Sequence, residues 1–165
     1  MVNDPYASRI DEFKKVKRVM LVDDDQPILN LFKNWMEMFD YYTPENSALT
    51  GKENYRLLIL ASDGYKALEE LEKLNKYDLL PHLILLDVKM PGISGDKVCE
   101  KLKSDPKYSH IPIYYLSGKP ISDLEKLKEE SRADGYFQKP VDVKKFIKTV
   151  DEVLSDSGVN KNVKK

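Results

Sequence analysis

Cysteine is almost missing from this chain: Cys99 is the only one in 165 residues. One thiol excludes an internal disulfide and a thiolate metal cluster, and it fits a reducing, cytoplasmic setting. An excess of charge is missing too. The 27 basic and 28 acidic side chains leave a formal net charge of −1, which gives no global electrostatic case for binding nucleic acid or an anionic membrane. No run approaches the ~20 apolar residues of a membrane helix. The opening MVNDPYASRIDEFKK has no apolar stretch of the kind a secretory signal needs. There is no internal repeat and no long low-complexity segment. The two histidines, His82 and His110, flank strands without partners in motif spacing and read as structural or surface residues.

What is present centres on Leu83-Ile-Leu-Leu-Asp87-Val-Lys-Met-Pro-Gly92. Four apolar residues run into one carboxylate, and a Pro-Gly turn follows. A short, unbroken apolar run bounded by turn signals predicts a strand buried on both faces of a parallel sheet. Asp87 then stands at the strand's carboxyl end, where open α/β sheets place their ligands.

Four further strands are predicted, the first over Val16–Val22, ending in Asp23-Asp24-Asp25, and the second over Tyr55–Leu60. With 83–86 as the third, the fourth is Ile111–Leu116, ending in Ser117-Gly118-Lys119, and the fifth is Gly135–Gln138, ending in Lys139-Pro140. Helices alternate with them. The first is capped by Asp25 and buries Ile28, Leu29, Leu31, Phe32, Trp35, Met36 and Phe39 at 3.6-residue spacing. Asp63 caps the second, and Cys99 sits on the inner face of the third as a small core residue. Ser122 or Asp123 is expected to cap the fourth and Asp142 the fifth.

Five strands alternating with five helices predict a doubly wound parallel α/β sheet with helices on both faces. The core domain spans 16–155. Residues 1–15 read as a polar N-terminal extension, 41–54 as an inserted loop between the first helix and second strand, and 156–165 as a Lys-rich tail. The insert and both termini are expected at the edge opposite the carboxyl ends of the strands.

A parallel sheet gathers all its carboxyl ends at one edge. Asp23, Asp24, Asp87, Ser117 and Lys139 therefore converge from distant parts of the chain. Two unit charges ~4 Å apart cost roughly 4 kcal/mol at an effective dielectric of ~20, so three carboxylates need an offsetting cation. Mg²⁺ takes one or two carboxylates and then phosphate oxygens. A cation, an ammonium and a hydroxyl around one carboxylate make a phosphoryl-transfer site with Asp as nucleophile.

These residues resemble the receiver (CheY-like) domain of two-component response regulators, in its single-domain form. The likeness rests on Asp-Asp after the first strand, Asp87 followed by Met-Pro-Gly, Ser-Gly after the fourth strand and Lys-Pro after the fifth, and it covers about Lys17 to Leu154. It implies a flavodoxin-like fold with strand order 2-1-3-4-5. Asp87 would accept a phosphoryl group from a phosphohistidine on a histidine kinase or histidine phosphotransfer protein. Asp23, Asp24, Asp87 and the backbone carbonyl of Lys89 would hold Mg²⁺, or Mn²⁺ in its place. Ser117 and Lys139 would bind the phosphoryl oxygens, the Lys139–Pro140 peptide would be cis, and Tyr136 would be the aromatic that swings inward on activation.

The resemblance further implies signalling through the face made by the fourth helix, fifth strand and fifth helix. It implies a monomer or weak phosphorylation-dependent dimer that acts as a switch rather than an enzyme. Only about ten residues follow the last helix, so a protein contact or an onward phosphorelay is expected rather than a DNA-binding output domain. Lys89 and Lys119 depart from the usual pattern. Both stand two residues beyond a site residue, where the family tunes phosphoryl lifetime.

Two other readings compete. A phosphatase resembling the haloacid dehalogenase class would use the Asp23-x-Asp25 spacing with Asp23 as nucleophile, and it leaves Asp87-Val-Lys-Met-Pro-Gly unexplained. A flavin or nucleotide binder would need a Gly- or Ser/Thr-rich phosphate loop after the first strand, where three aspartates stand instead.

Overall fold

The strand tips carry the chemistry, and what fixes them is a sheet buried on both sides. The structure, a computed structural model, describes residues 4–156. Its strands are β1 (Lys17–Val22), β2 (Tyr41–Tyr42), β3 (Arg56–Ala61), β4 (Leu83–Leu86), β5 (Ile113–Ser117) and β6 (Gly135–Gln138). Its helices are α1 (Ile10–Lys14), α2 (Gln26–Glu37), α3 (Pro44–Ser47), α4 (Gly64–Lys76), α5 (Gly95–Ser104), α6 (Ile121–Ser131) and α7 (Val143–Asp156). All strand pairs are parallel, in the order β2-β3-β1-β4-β5-β6.

The unbroken apolar runs are explained by the two cores. Along β1, Met20 and Val22 face one cluster with α4, α5 and α6, while Val19 and Leu21 face another with α2 and α7. All four are fully buried. Successive strand side chains point to opposite faces, so a stretch covered on both sides is apolar at consecutive positions. Arg18, buried near the start of β1, is the exception, and its guanidinium donates to the carbonyls of Phe13, Val16 and Leu80.

Two expectations need correcting. The sheet has six strands and seven helices among the described residues, not five and five. Of the three extra pieces, β2 and α3 come from residues 41–54, read from the sequence as a loop, and α1 from the N-terminal stretch, read as an extension. Tyr41 is fully buried, its hydroxyl donates to Asp151 at 2.5 Å, and the Arg56 guanidinium lies 5.3 Å over its ring. Thr43 then caps a helix whose first residue is Pro44, a start signal hidden among turn-forming residues. Without β2 the order is the expected one. β2 pairs with the amino end of β3, at Arg56 and Leu57, remote from Asp87.

The polar N-terminal stretch also belongs to the core. Tyr6 and Phe13 are buried against α4 and the sheet. Arg9 donates to the carbonyl of Pro44 at 2.7 Å and to Ser47 Oγ at 3.1 Å, Tyr55 to Glu12 at 2.6 Å, and Tyr77 to Asp4 at 2.5 Å. The N-terminal segment and the insert thus fold as one unit. Two smaller differences concern helix edges. Pro120 stands at the N-cap of α6 with no side-chain cap, in place of Ser122 or Asp123, and Leu31 on α2 is 45% exposed. Residues 157–165 of the expected tail lie outside the described residues.

Candidate functional site

β1 and β4 are neighbours in register, with Val22 opposite Leu86. The next residues, Asp23 and Asp87, therefore stand side by side at adjacent strand tips. Backbone bonds continue the ladder past the strands: Asp87 N–H donates to the Val22 carbonyl at 2.9 Å, and Asp23 N–H to the Ala61 carbonyl at 3.2 Å. Chain direction turns sharply at both points. Asp23 accepts from the Asp25 N–H at 2.9 Å, and Asp25 caps α2 by accepting from Ile28 N–H at 3.2 Å.

One carboxylate oxygen from each of Asp23, Asp24 and Asp87 lies within 4.8 Å of the others. Asp23 and Asp87 are buried, and Asp24 is exposed. Burial, then the Asp23 carboxylate, pushes the Asp87 carboxyl up to about 6; Lys139 and the Val88 N–H, which donates to Asp87 at 2.9 Å, pull the other way. Lys139 reaches in from the end of β6 and places its ammonium 2.8 Å from Asp23. The donor set suits a hard divalent cation: three carboxylates, oxygen ligands only, with one acid raised by its like-charged neighbour.

Ser117, at the tip of β5, is 3% exposed, and its Oγ accepts from the Lys119 N–H at 3.3 Å. The Lys139–Pro140 peptide is cis, and the Lys139 N–H donates to the Ser117 carbonyl at 2.8 Å. Lys89 and Lys119 are exposed, and neither ammonium has an ion-pair partner among the described residues. Tyr136 is not brought into the site. Its hydroxyl donates to Glu125 on α6 at 2.6 Å.

Gly95 is a site residue that sequence reasoning missed. Its N–H donates to the Val88 carbonyl at 2.7 Å, and a Cβ built there would lie 2.0 Å from the Asp87 carbonyl oxygen. The turn after Asp87 closes only without a side chain at 95. The signal was there, in Gly-Ile-Ser-Gly ahead of a helix, but a glycine before a helix reads as an ordinary N-terminal punctuation mark.

Comparison with known proteins agrees with this geometry. A family model described as the response regulator receiver domain matches residues 45–151. The chain belongs to that family, whose members are two-component signalling modules that work by phosphorylation and bind Mg²⁺ at an acidic pocket. The matched span begins after β1, so Asp23 and Asp24 enter through the geometry above. The chain is 28% identical over 141 residues to the polar-differentiation response regulator DivK of Brucella ovis, covering 86% of this chain and 98% of that protein. In fold it is similar to the chemotaxis protein CheY4 of Vibrio cholerae, with a TM-score of 0.66 and 21% identity over 84% of this chain and 98% of that one. It is also similar to the receiver domain of a signal transduction histidine kinase from Syntrophus aciditrophicus, with a TM-score of 0.70 and 21% identity over 91% and 98% of the two chains. No helix among the described residues is long and apolar enough to cross a membrane.

Proposed function

We propose that this protein is a phosphorylation-operated switch whose phosphoacceptor is Asp87. The observation that carries the reading is the gathering of Asp23, Asp24 and Asp87 oxygens within 4.8 Å, with the Lys139 ammonium 2.8 Å from Asp23. Asp87 attacks the phosphorus of a phosphohistidine on a histidine kinase or histidine phosphotransfer protein. The P–N bond breaks, an acyl phosphate forms on Asp87, and the imidazole leaves. Asp23, Asp24, Asp87 and the Lys89 carbonyl would hold Mg²⁺, with Mn²⁺ an acceptable substitute. When bound, the cation neutralises charge on the transferring phosphoryl oxygens.

The remaining roles belong to this chain's own side chains. Lys139 exchanges Asp23 for a phosphoryl oxygen, and the Ser117 hydroxyl donates to another. Tyr136 gives up Glu125 and turns inward, which alters the face made by α6, β6 and α7. That face meets a downstream protein, or Asp87 passes its phosphoryl group on in a relay. The reading places the protein in the cytoplasm, as a monomer or weak phosphorylation-dependent dimer, away from nucleic acid and membrane.

Lys89, two residues beyond Asp87, and Lys119, two beyond Ser117, are exposed ammonium groups without an ion-pair partner among the described residues. They prolong the acyl phosphate by shielding it from attacking water. A Lys89→Asn, Lys119→Ala double variant should lose its phosphoryl group faster than wild type, and equal rates would remove this part of the reading.

Labelling with acetyl phosphate and Mg²⁺ tests the whole. Intact mass should rise by one phosphoryl group, and Asp87→Asn should abolish the rise. Steady phosphate release lost in Asp23→Asn but retained in Asp87→Asn would favour the phosphatase reading instead.

A further inference from the structure

Away from the acidic site, a groove of about 940 Å³ runs between α4 and α5. It starts at the Pro91-Gly92 turn and ends at the Asp105–Tyr108 turn. On α4, Tyr65, Leu68, Glu69 and Glu72 line it at i, i+3, i+4 and i+7, one stripe of a helix. Its accessible apolar surface comes mainly from half-buried Leu68 and from Tyr65, which stands 59% exposed at its upper end, over the nearly buried Leu102 and Tyr108.

The two walls differ in net sign. Asp63, Glu69 and Glu72 outnumber Lys66 along α4, where Lys66 pairs with Asp63 at 3.8 Å, and Lys101 and Lys107 outnumber Asp105 on α5 and the turn after it. Glu69, Glu72 and Lys101 have neither an ion-pair nor a hydrogen-bond partner among the described residues. Lys107 has only a 3.8 Å pairing with Asp105 and lies 5.2 Å over the Tyr108 ring. The groove also holds a second unmet demand. Tyr108 is 6% exposed, and its hydroxyl is buried without a hydrogen-bond partner. Leaving such a group unmatched is costly.

We propose that this groove docks an amphipathic helix of a partner protein, with a narrow apolar stripe flanked by basic residues on one side and acidic residues on the other. The seven steps from Tyr65 to Glu72 rise ~10 Å, so about two turns of partner helix span them. The basic flank lies along Glu69 and Glu72, and the acidic flank along Lys101 and Lys107. Reversing the helix brings like charges together, so the walls fix its direction as well as its composition. The site is separate from the α6, β6 and α7 face, so both can be engaged at once. It needs no phosphorylation of Asp87.

Three synthetic 14-residue helical peptides test this, sharing one leucine stripe. One carries Lys on one flank and Glu on the other, one Lys on both, and one Glu on both. Binding to the full chain is followed by backbone amide NMR titration without Mg²⁺ or phosphodonor, so the result is independent of the phosphoacceptor reading. The mixed peptide should bind about tenfold more tightly than either uniform one, the worth of a few surface ion pairs, with shifts centred on Tyr65, Leu68, Leu102 and Tyr108. In E69K/E72K, where both walls are basic, preference should move to the all-Glu peptide. Equal affinities for all three, no binding of the mixed peptide, shifts confined to other faces, or an unchanged preference in E69K/E72K would each overturn the proposal.

Discussion

The Lys139 ammonium lies 2.8 Å from Asp23 and makes no ion pair with Asp87, although all three side chains serve one crevice. Asp23 is the more deeply buried partner, its side chain 2% exposed against 19% for Lys139. Removing one member of a buried pair strands the other charge, and here two more carboxylates stand beside it. Lys139→Ala should therefore lower the stability of the metal-free protein by about 3 kcal/mol. Mg²⁺ should then raise the melting temperature of the variant more than that of wild type, because Asp23 has no competing ammonium. Thermal melts with and without Mg²⁺ measure both effects.

Asp87 gives a pH signature. Its carboxyl titrates at about 6 in the fold, above its usual 3.8. In that interval the folded state holds the proton more tightly than the unfolded chain, so this group's contribution falls as pH rises from 4 to 6 and stays unfavourable above that. The shift is worth on the order of 2–3 kcal/mol at pH 7. Asp87→Asn should stabilise the metal-free protein by an amount of that order at pH 7, and the gain should vanish near pH 4. His82 has the opposite slope. Burial holds it down to about 4, with Nδ1 accepting from the Arg18 N–H at 3.0 Å, so the fold loses stability as pH falls from 6.5 toward 4. Urea midpoints of wild type and Asp87→Asn at matched pH cancel the histidine and isolate the aspartate.

Gly95 sets the turn that carries the acid. A methyl group at 95 would meet the Asp87 carbonyl oxygen at 2.0 Å, and backbone cannot swing aside as a side-chain end can. Gly95→Ala should cost at least ~3 kcal/mol. Denaturant unfolding gives the stability, and Mg²⁺ titration of the remaining folded protein should show weaker binding, since Asp87 and the Lys89 carbonyl are displaced together.

Phe13 tests whether the N-terminal segment belongs to the domain. Its ring is fully buried and packs edge-on against Tyr6 at 6.1 Å. Phe13→Ala should cost ~3–5 kcal/mol, the range for a buried aromatic. A change within ~0.5 kcal/mol in a urea melt would mean that residues 4–16 do not pack on the core.

The sequence made the central sheet legible because β1, β3 and β4 carry apolar runs where both faces are covered, Val19–Val22, Leu57–Ala61 and Leu83–Leu86. The positions of Asp23, Asp87, Ser117 and Lys139 followed from strand ends alone, since a parallel sheet brings those ends to one edge. Other parts were hidden for physical reasons. β2 is two residues long, too short for any periodicity, and Tyr41 is held by Asp151, 110 residues away. α1 has a single buried residue, Phe13, in a charged stretch, so no apolar face was visible. The Gly95 constraint depends on the path of the backbone after Asp87, which no local pattern encodes. Tyr136 bonds to Glu125, a partner fixed by the packing of α6 on β6.

The central claim, an aspartyl phosphate at Asp87, is tested most directly by reductive trapping. The protein is incubated with a small phosphodonor and Mg²⁺, treated with borohydride, and mapped by peptide mass spectrometry. The account expects the acyl phosphate to be reduced, leaving homoserine at position 87 and aspartate at positions 23 and 24, with nothing trapped when Mg²⁺ is chelated. Homoserine at Asp23 or Asp24, or none at any position in folded protein supplied with Mg²⁺, would contradict it.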